Sequence, residues 1–61
     1  MPTIVVDASL VTADLESVDA LATLQLAAKR LGDAIVLRGA SDDLRRLISL
    51  AGLERVLPVE V

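Results

Sequence analysis

Short apolar runs alternate along the chain with two longer segments of helical character. The first run, residues 3–6, is made up of β-branched residues, and Asp7 follows it. The second run, residues 34–37, has the same continuous apolar character, which is typical of strands covered on both faces. A third run begins at residues 56–57, and Pro58 inside it predicts an edge strand or the end of a strand. The pattern therefore predicts three short strands.

The segment from about residue 15 to residue 31 has the composition of a helix, because Ala, Leu, Lys, Arg and Gln dominate it. Either Asp14 or Ser17 would cap its N-terminus. Gly32 fits the left-handed position that follows a helix. On a helical wheel, one broad apolar face is shared by Val18, Leu21, Leu24, Ala28 and Leu31.

A second, shorter helix is predicted to start at Ser41, a good N-cap that is followed by two acidic residues. Its apolar face carries Leu44, Leu47, Ile48 and Ala51, and Gly52 ends it. The order is thus β-α-β-α-β, which predicts an α/β fold with a mostly parallel three-stranded sheet and two helices. Residues 1–61 form a single domain on this interpretation.

The composition removes several kinds of chemistry. The chain of 61 residues is 54% hydrophobic but contains no Phe, Trp, Tyr, His or Cys. It therefore offers no thiol, no imidazole base and no aromatic stacking platform, and we expect no catalysis and no cofactor. The net charge of −3 argues against nucleic-acid binding. No apolar run approaches a membrane span and no signal-peptide pattern is present, so we expect a cytoplasmic protein without a membrane partner.

Carboxylates and hydroxyls cluster after the first strand, at the end of the sheet where α/β proteins usually place their sites. Asp7, Asp14 and Asp19 would hold Mg²⁺ if they met. The simpler interpretation, which we favour, is that Asp7 caps a turn and Asp14 caps a helix. Ser9 and Ser17 are hydroxyls in the same region, where phosphorylation and local hydrogen bonding are the two alternatives.

A weaker apolar stripe lies beside the main face of the first helix, at Leu15, Ala22 and Leu26. A broad core face accounts for Ala22. Leu26 lies near the polar side, and two explanations remain open. It is either a lone exposed apolar residue or part of a contact surface for another chain.

The order and spacing of these segments resemble the STAS domain, the fold of bacterial anti-sigma factor antagonists. The similarity lies in Val-Val-Asp-Ala-Ser at residues 5–9, Ala-Lys-Arg-Leu-Gly at residues 28–32, and the Ser-capped helix that ends in Leu-Ala-Gly-Leu at residues 50–53. Family members have additional strands ahead of the one that matches residues 4–7. The resemblance therefore implies an N-terminally shortened STAS-like domain.

In the family, a Ser that follows an Asp at the start of the first long helix is phosphorylated by a kinase that doubles as an anti-sigma factor. If that Asp corresponds to Asp14, Leu15 occupies the acceptor position. If it corresponds to Asp19, Ala20 occupies it. Neither side chain accepts a phosphoryl group, so the resemblance implies a docking surface without the phosphoacceptor.

We therefore expect a non-enzymatic protein-interaction module of bacterial transcription or stress regulation. Its partner would be an anti-sigma factor or a kinase-like regulator. The alternative is a self-associating minimal α/β domain, a homodimer that pairs through the free edge of the strand containing Ile4. A small Mg²⁺-dependent enzyme using Asp7 is a third hypothesis. The predicted partner-binding residues are Asp7, Ser9, Asp14, Leu15, Ser17, Asp19, Ala22 and Leu26.

Overall fold

The computed structural model describes residues 2–60 and has the α/β architecture that the sequence predicts. Its elements are β1 (Thr3–Asp7), α1 (Leu15–Arg30), β2 (Ala34–Arg38), α2 (Asp42–Leu50) and β3 (Val59–Glu60). The strands form one sheet in the order β1-β2-β3, and both neighbouring pairs are parallel. Within residues 2–60, no helix is long and apolar enough to cross a membrane.

Both helices pack on the same face of the sheet, and this corrects the expectation that the strands are covered on both faces. Ile35 and Leu37 of the central strand are buried in one core with side chains from α1 and α2. Crossovers of the same hand, in a sheet whose strands follow chain order, bring both helices to one side. The other face of the sheet is uncovered in the part of the chain described. At the outer edge, strand β1 leaves Ile4 and Val5 each 45% exposed.

The ends of α1 follow the local signals in the sequence. The Asp14 carboxylate accepts a hydrogen bond from the N–H of Ser17 at 2.7 Å, so Asp14 is the cap and Ser17 is not. At the other end, Gly32 adopts a φ of +82°. The N–H of Asp33 then bonds back to the carbonyl of Ala28 at 2.9 Å, which closes the last turn.

The buried face of α1 is narrower than predicted and carries a polar residue. Leu24 and Leu31, expected in the core, are 48% and 80% exposed. They lie beyond one margin of the stripe that faces the sheet. The buried positions are Val18, Leu21, Gln25 and Ala28.

Gln25 is buried because it completes the hydrogen bonding of the central strand. The N–H of Ile35 donates to Gln25 Oε1 at 2.8 Å, and Gln25 Nε2 donates to the carbonyls of Ile35 at 3.0 Å and Val56 at 2.7 Å. The N–H of Leu37 donates to the carbonyl of Pro58, beside β3. Backbone groups two residues apart in a strand point to the same side, so the N–H and C=O of Ile35 also point towards β3. The two-residue strand β3 does not reach that position. Gln25 therefore supplies the partners that a longer strand would have provided.

The third strand begins at Val59, later than the predicted start at residues 56–57. The N–H groups of Val56 and Leu57 both donate to the carbonyl of Leu53, at 3.0 and 2.8 Å, which holds them in a turn. Leu57 nevertheless enters the core. Pro58 directly precedes a strand at the sheet edge, as predicted.

The second helix matches its prediction closely. Ser41 Oγ accepts a hydrogen bond from the N–H of Leu44 at 3.1 Å and caps the helix. Leu44 and Ile48 are buried, and Leu47 packs against the core from its margin. Only Ala51, the last member of the predicted stripe, is exposed.

Candidate partner-binding surface

The turn after β1 is closed by Asp7, whose Oδ1 accepts a hydrogen bond from the N–H of Ser9 at 3.0 Å. The turn lies against Gly39, at the end of β2, which adopts a φ of +73°. A Cβ atom at Gly39 would lie 3.4 Å from the Cβ of Ser9. The added atom would fit at this distance, so it is the left-handed backbone that favours glycine at this position.

A row of charged side chains crosses the uncovered face at the carboxyl ends of the strands. Asp7, Arg38 and Glu60 are paired neighbours in the sheet register. Arg38 Nη2 forms an ion pair with Glu60 Oε1 at 3.2 Å, although both side chains are well exposed. Hydrogen bonds from the side chain and backbone of Ser9 hold the pKa of the Asp7 carboxyl below its ordinary value, and the Arg38 charge acts in the same direction.

The carboxylates considered for Mg²⁺ are not gathered into one site. Asp7 and Asp14 each bond to a backbone N–H two or three residues further along the chain. Asp19 lies within α1, where its backbone carbonyl accepts a hydrogen bond from the hydroxyl group of Thr23 at 3.0 Å. Among residues 2–60, no group of three or more His, Cys, Asp or Glu side chains is placed to hold a metal ion. Turn and helix capping describe what Asp7 and Asp14 do in this structure.

One side of α1 carries four of the predicted partner-binding residues in a line. Leu15, Asp19, Ala22 and Leu26 follow one another at helical spacings of four, three and four residues. Leu15 is 68% exposed and Leu26 is 58% exposed, whereas Ala22 packs against the core. We refer to these four residues as the α1 stripe. It presents two exposed leucines with a carboxylate between them.

Ser17 lies on another side of the helix and does not join the α1 stripe. It lines a shallow cleft between α1 and the loop that follows β1, and its neighbours there include Leu10, Val11, Ala20 and Leu24. We call this feature the α1 cleft, and none of its lining residues is charged. Sequence reasoning missed it, although Leu10 and Val11 form an apolar pair in this loop and Leu10 is 93% exposed.

The eight predicted residues therefore fall into three groups. Asp7 and Ser9 form the turn after β1, and Asp14 and Ser17 form the helix cap. The remaining four make up the α1 stripe. Only this last group presents large apolar side chains, Leu15 and Leu26, that are exposed.

Comparison with known proteins gives one family match. The family model described as "Mlab, STAS domain" matches residues 2–58, which is nearly the whole chain. STAS domains are generally non-enzymatic regulatory modules. Neither the curated proteins nor the solved structures contain a match.

Proposed function

The chain belongs to the STAS domain family, and from this we propose that it is a non-enzymatic protein-interaction module of the anti-sigma factor antagonist type. It acts in the bacterial cytoplasm, in the regulation of transcription or of a stress response. Its partner is an anti-sigma factor or a kinase-like regulator. The family supports a regulatory module in general, and the features of α1 support the choice of surface.

The observation that carries this proposal is the exposure of Leu15 and Leu26 on the α1 stripe, at 68% and 58%. Eleven residues of helix separate them by about 16 Å, a span that suits contact with one element of a partner. An exposed leucine side chain stabilises a complex when a partner removes it from water. Asp19, between them, adds a charge that orients the partner.

The rest of the proposed interface lies around the N-terminus of α1, where Asp7, Ser9, Asp14 and Ser17 surround the start of the helix in the sequence. The carboxylate of Asp14 and the N–H of Ser17 are already bonded to each other. We therefore assign Asp14 a supporting role that holds the first turn of α1 in shape. The partner would contact the apolar side chains that follow it.

Binding by this module does not depend on a phosphoserine at the start of α1, because Leu15 stands first in the helix after the Asp14 cap. Incubation of the chain with a cognate kinase-like regulator and ATP tests this directly. We expect binding without phosphate incorporation. Stoichiometric phosphorylation of Ser9 or Ser17 that alters the affinity would contradict it.

The interface itself is tested with anti-sigma factors and kinase-like regulators encoded in the same genome. The tagged chain is used to capture them, and the dissociation constant is then measured by calorimetry. Leu15→Arg and Leu26→Arg should each weaken binding at least tenfold, because each places a charge where an apolar side chain meets the partner. Leu31→Arg is the matched control, since Leu31 is an even more exposed leucine and caps the far end of the helix. Binding that is unchanged by both stripe variants would show that the surface is wrong.

A second candidate function is self-association of the domain into a homodimer. The observation that favours it is the position of β1 at the edge of the sheet, with Ile4 and Val5 each 45% exposed. Sedimentation over a wide range of concentrations tests it. A chain that stays monomeric throughout rules this candidate out.

A further inference from the structure

The outer edge of β1 presents a set of backbone groups that no strand in residues 2–60 engages. The N–H of Ala8 donates to the carbonyl of Arg38 at 2.7 Å, so Ala8 faces β2. Successive residues of a strand direct their backbone groups to alternate sides. The N–H and C=O groups of Thr3, Val5 and Asp7 therefore point away from the sheet.

Apart from the charge of Asp7 at its end, this edge lacks the basic residues, prolines and bulges that normally keep edge strands apart. Within Thr3–Asp7 there is no Lys, no Arg and no Pro. The register with β2 is continuous over all five residues, so no bulge twists the strand away. Ile4 and Val5 expose apolar surface on opposite sides of the strand. An unprotected edge of this kind is a template for another strand.

We propose that the β1 edge pairs with the β1 edge of a second copy of this chain, antiparallel, about a two-fold axis at Val5. This inference rests on the second candidate function, self-association, and specifies its geometry. In this register Val5 lies opposite Val5 of the second copy, and Thr3 lies opposite Asp7. Every outward N–H of one copy then meets an outward C=O of the other. The two sheets join into one continuous sheet.

Charge and side-chain pairing both select this register. Asp7 is the only charged residue of the strand, and here it lies opposite a hydroxyl of the second copy. An axis at Asp7 would place two carboxylates directly opposite each other, which is destabilising. With the axis at Val5, Ile4 lies opposite Val6 on the helix-bearing face. The pairing therefore covers the apolar side chains that β1 leaves exposed.

The net charge of the chain opposes its self-association only weakly. Each copy carries a net charge of −3, so the two repel weakly at long range. Salt screens such repulsion. The dimer should therefore strengthen as the salt concentration rises.

Cysteine cross-linking tests the register, because the natural chain has no cysteine. Across the proposed axis, the two Val5 Cα atoms lie about 5.5 Å apart, which is within disulfide range. The two Thr3 Cα atoms lie roughly 13 Å apart along the strands, which is out of range. Val5→Cys should form a disulfide dimer under mild oxidation, and Thr3→Cys alone should not. Thr3→Cys mixed with Asp7→Cys should cross-link.

Sedimentation equilibrium tests the association itself and uses the full chain. The mass should rise from 6.4 kDa to twice that value as concentration increases. Val5→Lys should weaken the dimer at least tenfold because it brings two ammonium groups together at the axis. Leu50→Lys is the matched control, because Leu50 is an exposed leucine of α2. Circular dichroism confirms that both variants are folded.

The outcomes separate the inference from the function on which it rests. A chain that is monomeric at all concentrations overturns both self-association and the edge pairing. A dimer that withstands Val5→Lys, or in which Thr3→Cys cross-links as readily as Val5→Cys, overturns only the edge pairing. A dimer that is weakened by Val5→Lys and cross-linked through Val5→Cys supports both.

Discussion

Gln25→Leu should destabilise the domain severely, although it replaces a polar residue by an apolar one in the core. Gln25 is 1% exposed and forms three hydrogen bonds to backbone groups. Leucine has a similar size but bonds to none of them. The substitution would leave the N–H and C=O of Ile35 without partners in a buried position.

The size of the effect follows from those two backbone groups. Each buried group left without a partner costs about 1–3 kcal/mol. The extra apolar surface of leucine offsets about 1 kcal/mol of this. We therefore expect a net loss of about 1–5 kcal/mol in the free energy of unfolding. Domains of this length have a total of roughly 3–9 kcal/mol, so a large part of the stability would be lost.

Urea denaturation followed by far-UV circular dichroism measures this loss, since the chain has no aromatic residue for fluorescence. With an m value of about 1 kcal/mol/M, the midpoint should fall by about 1–5 M urea. Leu24→Gln is the neighbouring control, because Leu24 is half exposed, and should cost less than about 1 kcal/mol. All variants are compared at one protein concentration, so that association does not alter the comparison.

The reasoning would be refuted by a Gln25→Leu variant whose midpoint lies within about 0.5 M urea of the parent chain. That result would mean that water or another donor satisfies Ile35, and that the bonds from Gln25 are dispensable. A Leu24→Gln variant that is destabilised as much as Gln25→Leu would also count against the reasoning. It would show general sensitivity of α1 rather than loss of specific bonds.

Three smaller effects should also be measurable. Asp14→Ala and Ser41→Ala each remove an N-cap and should lower stability in urea by about 1 kcal/mol, whereas no change would argue against capping. Gly39→Ala forces a side chain to a φ of +73° beside Ser9 and should cost roughly 1–2 kcal/mol; a neutral effect would contradict the left-handed geometry. The pKa of Asp7 is lowered on folding, so its contribution is present near neutral pH and is lost below about pH 4, as the carboxylate becomes protonated. Asp7→Asn should lose less stability than the parent chain over that range, and parallel profiles would show that the Ser9 bonds do not matter.

The sequence predicts the elements of this fold well because their signals are local. Ser41 caps its own helix, and Gly32 ends the helix that precedes it. The start of β3 was placed too early because the turn at Val56 and Leu57 depends on bonds to Leu53, which an apolar pattern does not reveal. Boundaries of this kind depend on a few specific contacts rather than on composition.

Tertiary features were harder to predict. A continuous apolar strand has the same sequence pattern whether one or both of its faces are covered. Only the strand order in the sheet shows that Val5 lies on an open face. Gln25 looked like an ordinary helix residue because its partner, Ile35, is ten positions away. Its burial depends on how short β3 is. Leu26 is exposed, as its place near the polar side of the helix indicated, and Ser17 lies away from it in the α1 cleft. The role of these residues in binding stays a prediction.

The central claim is that this STAS-family domain works by binding a protein through the α1 stripe. Its most direct test is the dissociation constant of the parent chain, Leu26→Arg and Leu31→Arg for a cognate anti-sigma factor or kinase-like regulator. We predict equal affinities for the parent chain and Leu31→Arg, with at least tenfold weaker binding by Leu26→Arg. Equal affinity for all three proteins would contradict the claim.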